Sequence, residues 1–167
     1  VSTIIASRLP YTLQLAAGAL LVACGIGIPI GVMLALLRET LVARMLAGLV
    51  FAAQSMPTFW SGILLIMIFA VTLGWLPPSS VGGIAHLVLP SIALGLLSMA
   101  TFARITRTAI LDELTKDYVR SARARGASQA RLLLRHLARN ASIPVITVAA
   151  IEISNLLAGA VIVETVF

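Results

Sequence analysis

The side chains able to do chemistry fall in three places. Arg120, Arg123, Arg125, Arg131, Arg135 and Arg139 crowd one polar stretch, and Glu152 and Asn155 sit three residues apart in an apolar run. Gln54, Ser55 and Thr58 surround Pro57 in another apolar run. Guanidinium groups make charge-assisted contacts with anionic partners, and polar groups inside apolar segments hold helices together or line a wet path. Neither arrangement breaks covalent bonds. A membrane-embedded enzyme would need paired intramembrane Asp, a Ser/His pair or His-x-x-Glu-His, and the chain has none of them. His86 and His136 are far apart, and Cys24 is the sole cysteine, so neither a disulfide framework nor a cysteine-based metal site is expected. His86 is expected to be exposed in a loop, and Cys24 to fill apolar space.

The segments that position these groups are apolar. Of 167 residues 60% are hydrophobic and only 11% charged, with a net charge of +6. Soluble domains carry about 25% charged residues, so the composition argues for a membrane protein. Crossing roughly 30 Å of hydrocarbon takes about 20 apolar residues. Four segments qualify, at about 11–37, 45–73, 90–108 and 143–163, the third continuing as a polar helix to roughly Leu114. The fold expected is an all-α, polytopic transmembrane helical bundle. The first apolar run is too long for the core of a signal peptide. The absence of an initial Met and the apolar ending at Phe167 suggest a piece of a longer protein, cut at both ends.

Loop charge orients the segments. Arg104–Arg139 holds nine of the twelve basic residues, the Arg38–Arg44 turn holds two, and Gly74–Ser91 holds none. Short loops rich in Lys and Arg stay in the cytoplasm, which puts Gly74–Ser91 outside with Trp75 at the outer interface. Arg8 is then one outer charge against the trend. Glu164 lies toward the outer end, where an interfacial role is expected. Pro29 and Pro57 each remove a helical hydrogen bond and kink or break the helix. Small residues, among them Ala16, Ala17, Gly18, Ala19, Gly25, Gly27 and Gly31, allow close helix packing. Two readings stand for Gln54, Ser55, Pro57 and Thr58: a kink device, or part of a pathway. Glu152 and Asn155 carry a similar pair, a lining role or a helix–helix hydrogen bond.

The polar stretch, about 112–140, reads as two short amphipathic helices joined at Gly126. Asp117 near the start of the first, and Arg123 and Arg125 near its end, suit the helix dipole. Gly126 suits the residue after a helix, and Ser128 can cap the second helix. Arg131, Arg135 and Arg139 share one face of it. Part of this charge obeys the positive-inside rule and lies on anionic lipid. Nucleic acid is not an expected partner, because interleaved aromatics and a separate domain are missing. The small residues Ser121, Ala122, Ala124, Gly126 and Ala127 suggest a surface on which another protein seats closely.

The string Asp117-Tyr118-Val119-Arg120-Ser121-Ala122-Arg123-Ala124-Arg125-Gly126, followed by Leu132-Leu133-Leu134-Arg135-His136 and Arg139-Asn140-Ala141-Ser142-Ile143-Pro144, resembles the cytoplasmic loop of ATP-binding-cassette importer permeases. More narrowly it is similar to the peptide/nickel branch of the binding-protein-dependent inner-membrane components. Arg8-Leu9-Pro10-Tyr11-Thr12-Leu13, Gly27-Ile28-Pro29-Ile30-Gly31, Met56-Pro57-Thr58-Phe59-Trp60, Gly74-Trp75-Leu76-Pro77 and Val163-Glu164-Thr165-Val166-Phe167 point the same way. In the wider superfamily the loop opens Glu-Ala-Ala with a glycine six residues after the Glu. Here Gly126 matches that glycine while Arg120 stands at the Glu position, a departure common in the peptide/nickel branch.

The resemblance implies a type I importer permease fold with six spans, one further span lying beyond each end of this chain. It implies that Tyr118, Val119, Arg120, Ser121, Ala122, Arg123, Ala124, Arg125, Gly126 and Ala127 form a coupling helix seated on an ATPase subunit. Its partners would be a homologous permease, in a hetero- or homodimer, two ATP-binding subunits and an extracytoplasmic solute-binding protein. ATP and Mg would be bound by those subunits and no cofactor by this chain. The site would be a bacterial or archaeal inner membrane, and the cargo di- or oligopeptides, with nickel, glutathione or opines as alternatives. From another class, an ATPase-independent channel or secondary transporter is the rival.

Overall fold

The computed structural model describes residues 2–77 and 83–166, with the side chains of residues 2–8, 84, 129, 130, 135, 164 and 165 outside the description. The expectations for Arg8, Arg135, Glu164 and the middle of the Gly74–Ser91 loop therefore lie outside the described residues. Among the described residues all regular structure is helical. The helices are α1 Ser2–Leu36, α2 Leu41–Ser55, α3 Thr58–Leu65, α4 Ile84–Leu114, α5 Asp117–Ala124, α6 Gln129–Leu132 and α7 Ala138–Val166. α3 runs on as a π-helix through Ile66–Thr72, and Leu133–Leu137 forms a π-helical link between α6 and α7.

α1, α4 and α7 are each long and apolar enough to cross a membrane. α4 begins at Ile84 rather than near Pro90, and α7 begins at Ala138 rather than Ile143. Prolines divide by context. Pro10 and Pro29 lie inside an unbroken α1, and Pro90 and Pro144 inside α4 and α7. At Pro57 the helix does break. Met56, before the proline, is extended at φ −85°, ψ 129°, the conformation a following proline imposes. Pro57 itself caps α3 through its carbonyl, which accepts from the amides of Trp60 and Ser61 at 3.0 and 3.1 Å. The two halves are bent by 107°, the break that Pro57 leads one to expect in this segment.

The core shows why the bent pair still crosses. α1 and α4 run parallel. Gly18 faces Ser91, and a Cβ on Gly27 would lie 2.6 Å from the Met99 carbonyl. One on Gly31 would lie 2.5 Å from the Ala103 carbonyl, and Ala35 packs with Ile110. From α4 the seam is matched by Gly95, where a Cβ would lie 2.8 Å from the Ala19 carbonyl. Gly25, by contrast, faces open space, so it is not one of the close-packing residues that the sequence suggests. With α1 and α4 pointing the same way, the chain leaving the C-terminal end of α1 must return to the N-terminal end of α4, at the opposite face of the bundle. The α2–α3 pair makes that return. α7 is antiparallel, with Val145 against the Phe102 level and Leu156 against the Leu94 level. Leu49, Phe51, Val71, Ile146 and Val161 remain exposed, which suits lipid or companion helices rather than water.

The ends of the membrane segments carry their own chemistry. The Thr40 hydroxyl caps α2 by accepting from the Ala43 amide at 3.2 Å. Trp75 is 70% exposed and tilts against Phe69, ring centroids 6.2 Å apart, as an interfacial indole does. His86 is not in a loop. It sits in the first turn of α4, half-buried, with Nδ1 enclosed. Cys24 is a partly buried free thiol packed beside the central core.

Candidate functional site

The polar stretch folds as an elbow under the three-helix core. α5 starts with Asp117 and carries Arg123 in its last turn, each complementing the helix dipole. Gly126 then adopts φ +79°, the left-handed region that favours glycine. The amide of Gly126 donates to the Arg123 carbonyl at 2.9 Å, and that of Ala127 to the Ala122 carbonyl at 3.1 Å. These two bonds form a complete Schellman ending. A Cβ at Gly126 would meet nothing within 4 Å, so the position requires glycine for its backbone, not for space. Ser128 starts the next helix, its Oγ accepting from the Arg131 amide at 3.4 Å. That next helix is not a second free element. It continues from α6 through the π-helical link into α7, so the elbow is spliced directly to the last span.

The ten residues Tyr118–Ala127 divide between two faces. Val119 and Ala122 are buried in a cluster with Ala35, Ile110, Leu132, Leu137 and Ala141, and Tyr118 and Ala127 pack beside it. The small side chain of Ala122 is therefore used inside the chain. Arg120, Ser121, Arg123, Ala124, Arg125 and Gly126 are exposed. Arg120 lies 3.7 Å from Asp117, both of them exposed, a pairing of little energetic weight in water. Arg123 borders a cleft of about 440 Å³ formed with the Leu36–Thr40 turn, Leu111, Leu114 and Thr115.

A polar clasp fastens the elbow to the bundle. The Tyr118 hydroxyl donates to the Glu113 carboxylate in the last turn of α4. Asn140 Nδ2 donates to the same carboxylate at 3.1 Å and to the Tyr118 oxygen at 3.2 Å. The hydrogen bond from Tyr118, then that from Asn140, hold the Glu113 carboxyl below its usual range. Desolvation, then the bond to Glu113, push the Tyr118 phenol up. Glu113 and Asn140 were not legible as functional residues. They are 27 residues apart, and only the packing of α4 against α7 brings them together.

Two further polar groups occupy the membrane portion. Glu152 lies near the middle of α7, where its Oε2 accepts from Ser98 Oγ of α4 at 2.6 Å and its Oε1 from Asn155 Nδ2 at 3.4 Å. Ser98 is buried, Glu152 half-buried and Asn155 exposed. Ser98 drew no attention in the sequence because a serine among Leu, Met and Ala reads as a packing residue. Around Pro57, Gln54 Oε1 accepts from Arg104 Nη1 at 3.5 Å, Ser55 Oγ donates to its own helix at the Phe51 carbonyl, and the Thr58 carbonyl accepts from Ser61. Ser98 and Arg104 stand six residues apart on α4, about 9 Å along its axis. The Gln54 and Glu152 groups are thus separate, not one site.

Comparison with known proteins narrows what this arrangement serves. A family model described as "Binding-protein-dependent transport system inner membrane component" matches residues 27–167. The di/tripeptide transport system permease protein DppB of Pseudomonas aeruginosa is 40% identical, over 95% of this chain and 55% of the relative. The dipeptide transport system permease protein DppB of Escherichia coli is 34% identical, over 96% of this chain and 56% of the relative. The chain thus spans little more than half the length of these relatives. The fold is similar to that of the inward-facing methionine ABC transporter MetNI, with a TM-score of 0.73 over 92% of this chain and 70% of that one, at 21% identity.

Proposed function

The chain belongs to the family of binding-protein-dependent transport system inner membrane components, and from that membership we propose that the complete protein is a permease subunit of an ATP-driven importer for di- or oligopeptides. In this reading it pairs with a homologous permease, two ATP-binding subunits and an extracytoplasmic binding protein in a bacterial or archaeal inner membrane. ATP and Mg belong to the motor subunits, and this chain does no bond chemistry.

The observation that carries the reading is the two-faced elbow. Its inner face, Val119 and Ala122, is keyed into a core shared by α1, α4, α6 and α7. Its outer face offers Arg120, Arg123 and Arg125 beside Ser121 and Ala124, side chains short enough for a groove to close over them. Guanidiniums give charge-assisted bonds to carboxylates in such a groove. Closure of the motor subunits would push α5. The clasp passes that push to α4 and α7, and the helices rock as rigid bodies between inward- and outward-open states.

Co-purification tests this with the full-length permease and its ATPase subunits. Arg123→Glu should insert into the membrane normally and lose the ATPase. Gly126→Ala costs about 1–2 kcal/mol of left-handed backbone strain and should weaken association partially. Normal ATPase capture by both variants would refute the docking surface. Solute movement by the permease without nucleotide or motor would refute the importer class.

A further inference from the structure

The carboxylate of Glu152 accepts a hydrogen bond on each of its two oxygens, one from α4 and one from its own helix. A carboxylate deep in a membrane helix is costly and faces protein or water. Two neutral donors from two helical positions fix this one: buried Ser98 at 2.6 Å on one oxygen and Asn155 at 3.4 Å on the other. Among the described residues, no Lys, Arg or His comes within ion-pair distance of it. The ion pairs, Arg38–Glu39 and Asp117–Arg120, lie at the cytoplasmic end. The carboxylate is also not sealed, since Glu152 is half-buried and Asn155, one turn on, is exposed. The result is an oriented carboxylate near the middle of α7, hydrogen-bonded to α4 on one side and open on the other.

We propose that Glu152, positioned by Ser98 and Asn155, is an anionic contact point for cationic cargo, receiving an ammonium group of the peptide as it passes the middle of the membrane. This rests on the importer reading and adds a specificity-determining residue to it. The cargo group replaces water around the open side of the carboxylate, and Ser98 keeps the carboxylate aimed. A peptide carrying an extra ammonium is favoured over one carrying an extra carboxylate, which Glu152 repels. Passage requires only that the contact be weak enough to release.

The experiment uses the full-length permease reconstituted with its sister permease, ATPases and binding protein in proteoliposomes. ATP-driven uptake of a lysine-containing and an aspartate-containing dipeptide is compared, with the binding protein saturated so that its own preference drops out. Wild type should favour the cationic peptide. Glu152→Gln, which keeps shape and hydrogen bonding but removes charge, should reduce that preference by about tenfold, the scale of one charge-assisted contact. Glu152→Asp should retain part of it. Ser98→Ala should lower it less than Glu152→Gln does, and it carries the test if Glu152→Gln fails to assemble. An unchanged ratio in Glu152→Gln, or in Ser98→Ala where that variant carries the test, overturns the proposal and leaves the importer reading standing. An equal loss of both peptides with ATPase assembly intact shows a structural role and overturns it as well. Absence of ATP-dependent peptide uptake by the wild-type complex overturns the importer reading, and this inference with it.

Discussion

The α1–α4 seam and the α5 elbow are both rich in small residues, and they use smallness in opposite ways. In the seam there is no room: a Cβ on Gly27 or Gly31 would collide with the backbone of α4. On the outer face of the elbow there is room. Gly126 has open space about it and is chosen for its backbone angle, while Ser121 and Ala124 face outward. The seam is thus a finished contact within the chain, while the outer face of the elbow stays exposed. A sequence displays both simply as glycine and alanine. What separates them is whether another helix of the same chain already occupies the space.

The contrast can be broken most severely at the seam. Gly31→Leu should force α1 from α4, because its Cβ alone would lie 2.5 Å from the Ala103 carbonyl and 2.6 Å from Thr106 Cβ. Overpacking on that scale costs on the order of 3 kcal/mol, and the folded fraction recovered in detergent should collapse. At the elbow the analogous insult is Val119→Asp, which buries a charge in the lower core at a site that is 0% exposed. Here α5 can come loose by local unfolding while the bundle survives. The melting temperature should fall little and ATPase association should be lost. If Val119→Asp unfolded the bundle as completely as Gly31→Leu, the distinction between seam and joint would be wrong.

The smallest effect sharpens the picture at the clasp. Glu113 has a lowered carboxyl pKa in the folded chain. Its contribution to stability is therefore present above the usual carboxylate pKa and fades as pH falls through and below that value. Melting curves in detergent should show a modest acid destabilisation, and Glu113→Gln should flatten it. An identical acid profile in the variant would mean that the clasp carries no charge-dependent stability.

How much of this could be read beforehand follows the range of each interaction. The apolar segments are visible because lipid imposes a length on every crossing, and the Gly126 turn because the chemistry of a helix ending is local. Pro57 announces a disturbance, yet the bend of 107° depends on how α2 and α3 each lean on α4. The second amphipathic helix vanished into α7 because nothing between Ser128 and Ile143 stops a helix. The pairings of Ser98 with Glu152, and of Glu113 and Tyr118 with Asn140, depend on the register of antiparallel α4 and α7. No spacing rule within one helix encodes that register. His86 follows the same logic, since the breaker-rich segment before it ends at Gly83 and α4 starts at Ile84.

The parallel partnership of α1 and α4 also constrains how such a protein is made. Antiparallel neighbours joined by a short turn can pair as soon as the second emerges, but two helices pointing the same way must await an entire return crossing. At about 5–20 residues per second, the glycine edge at Gly27 and Gly31 stays without Met99, Ala103 and Thr106 for several seconds while the ribosome works through the bent α2–α3 crossing. During that interval α1 presents its narrowest, stickiest stripe to whatever else is being inserted nearby. Correct biogenesis then depends on what the insertion machinery shields at that moment as much as on the final packing.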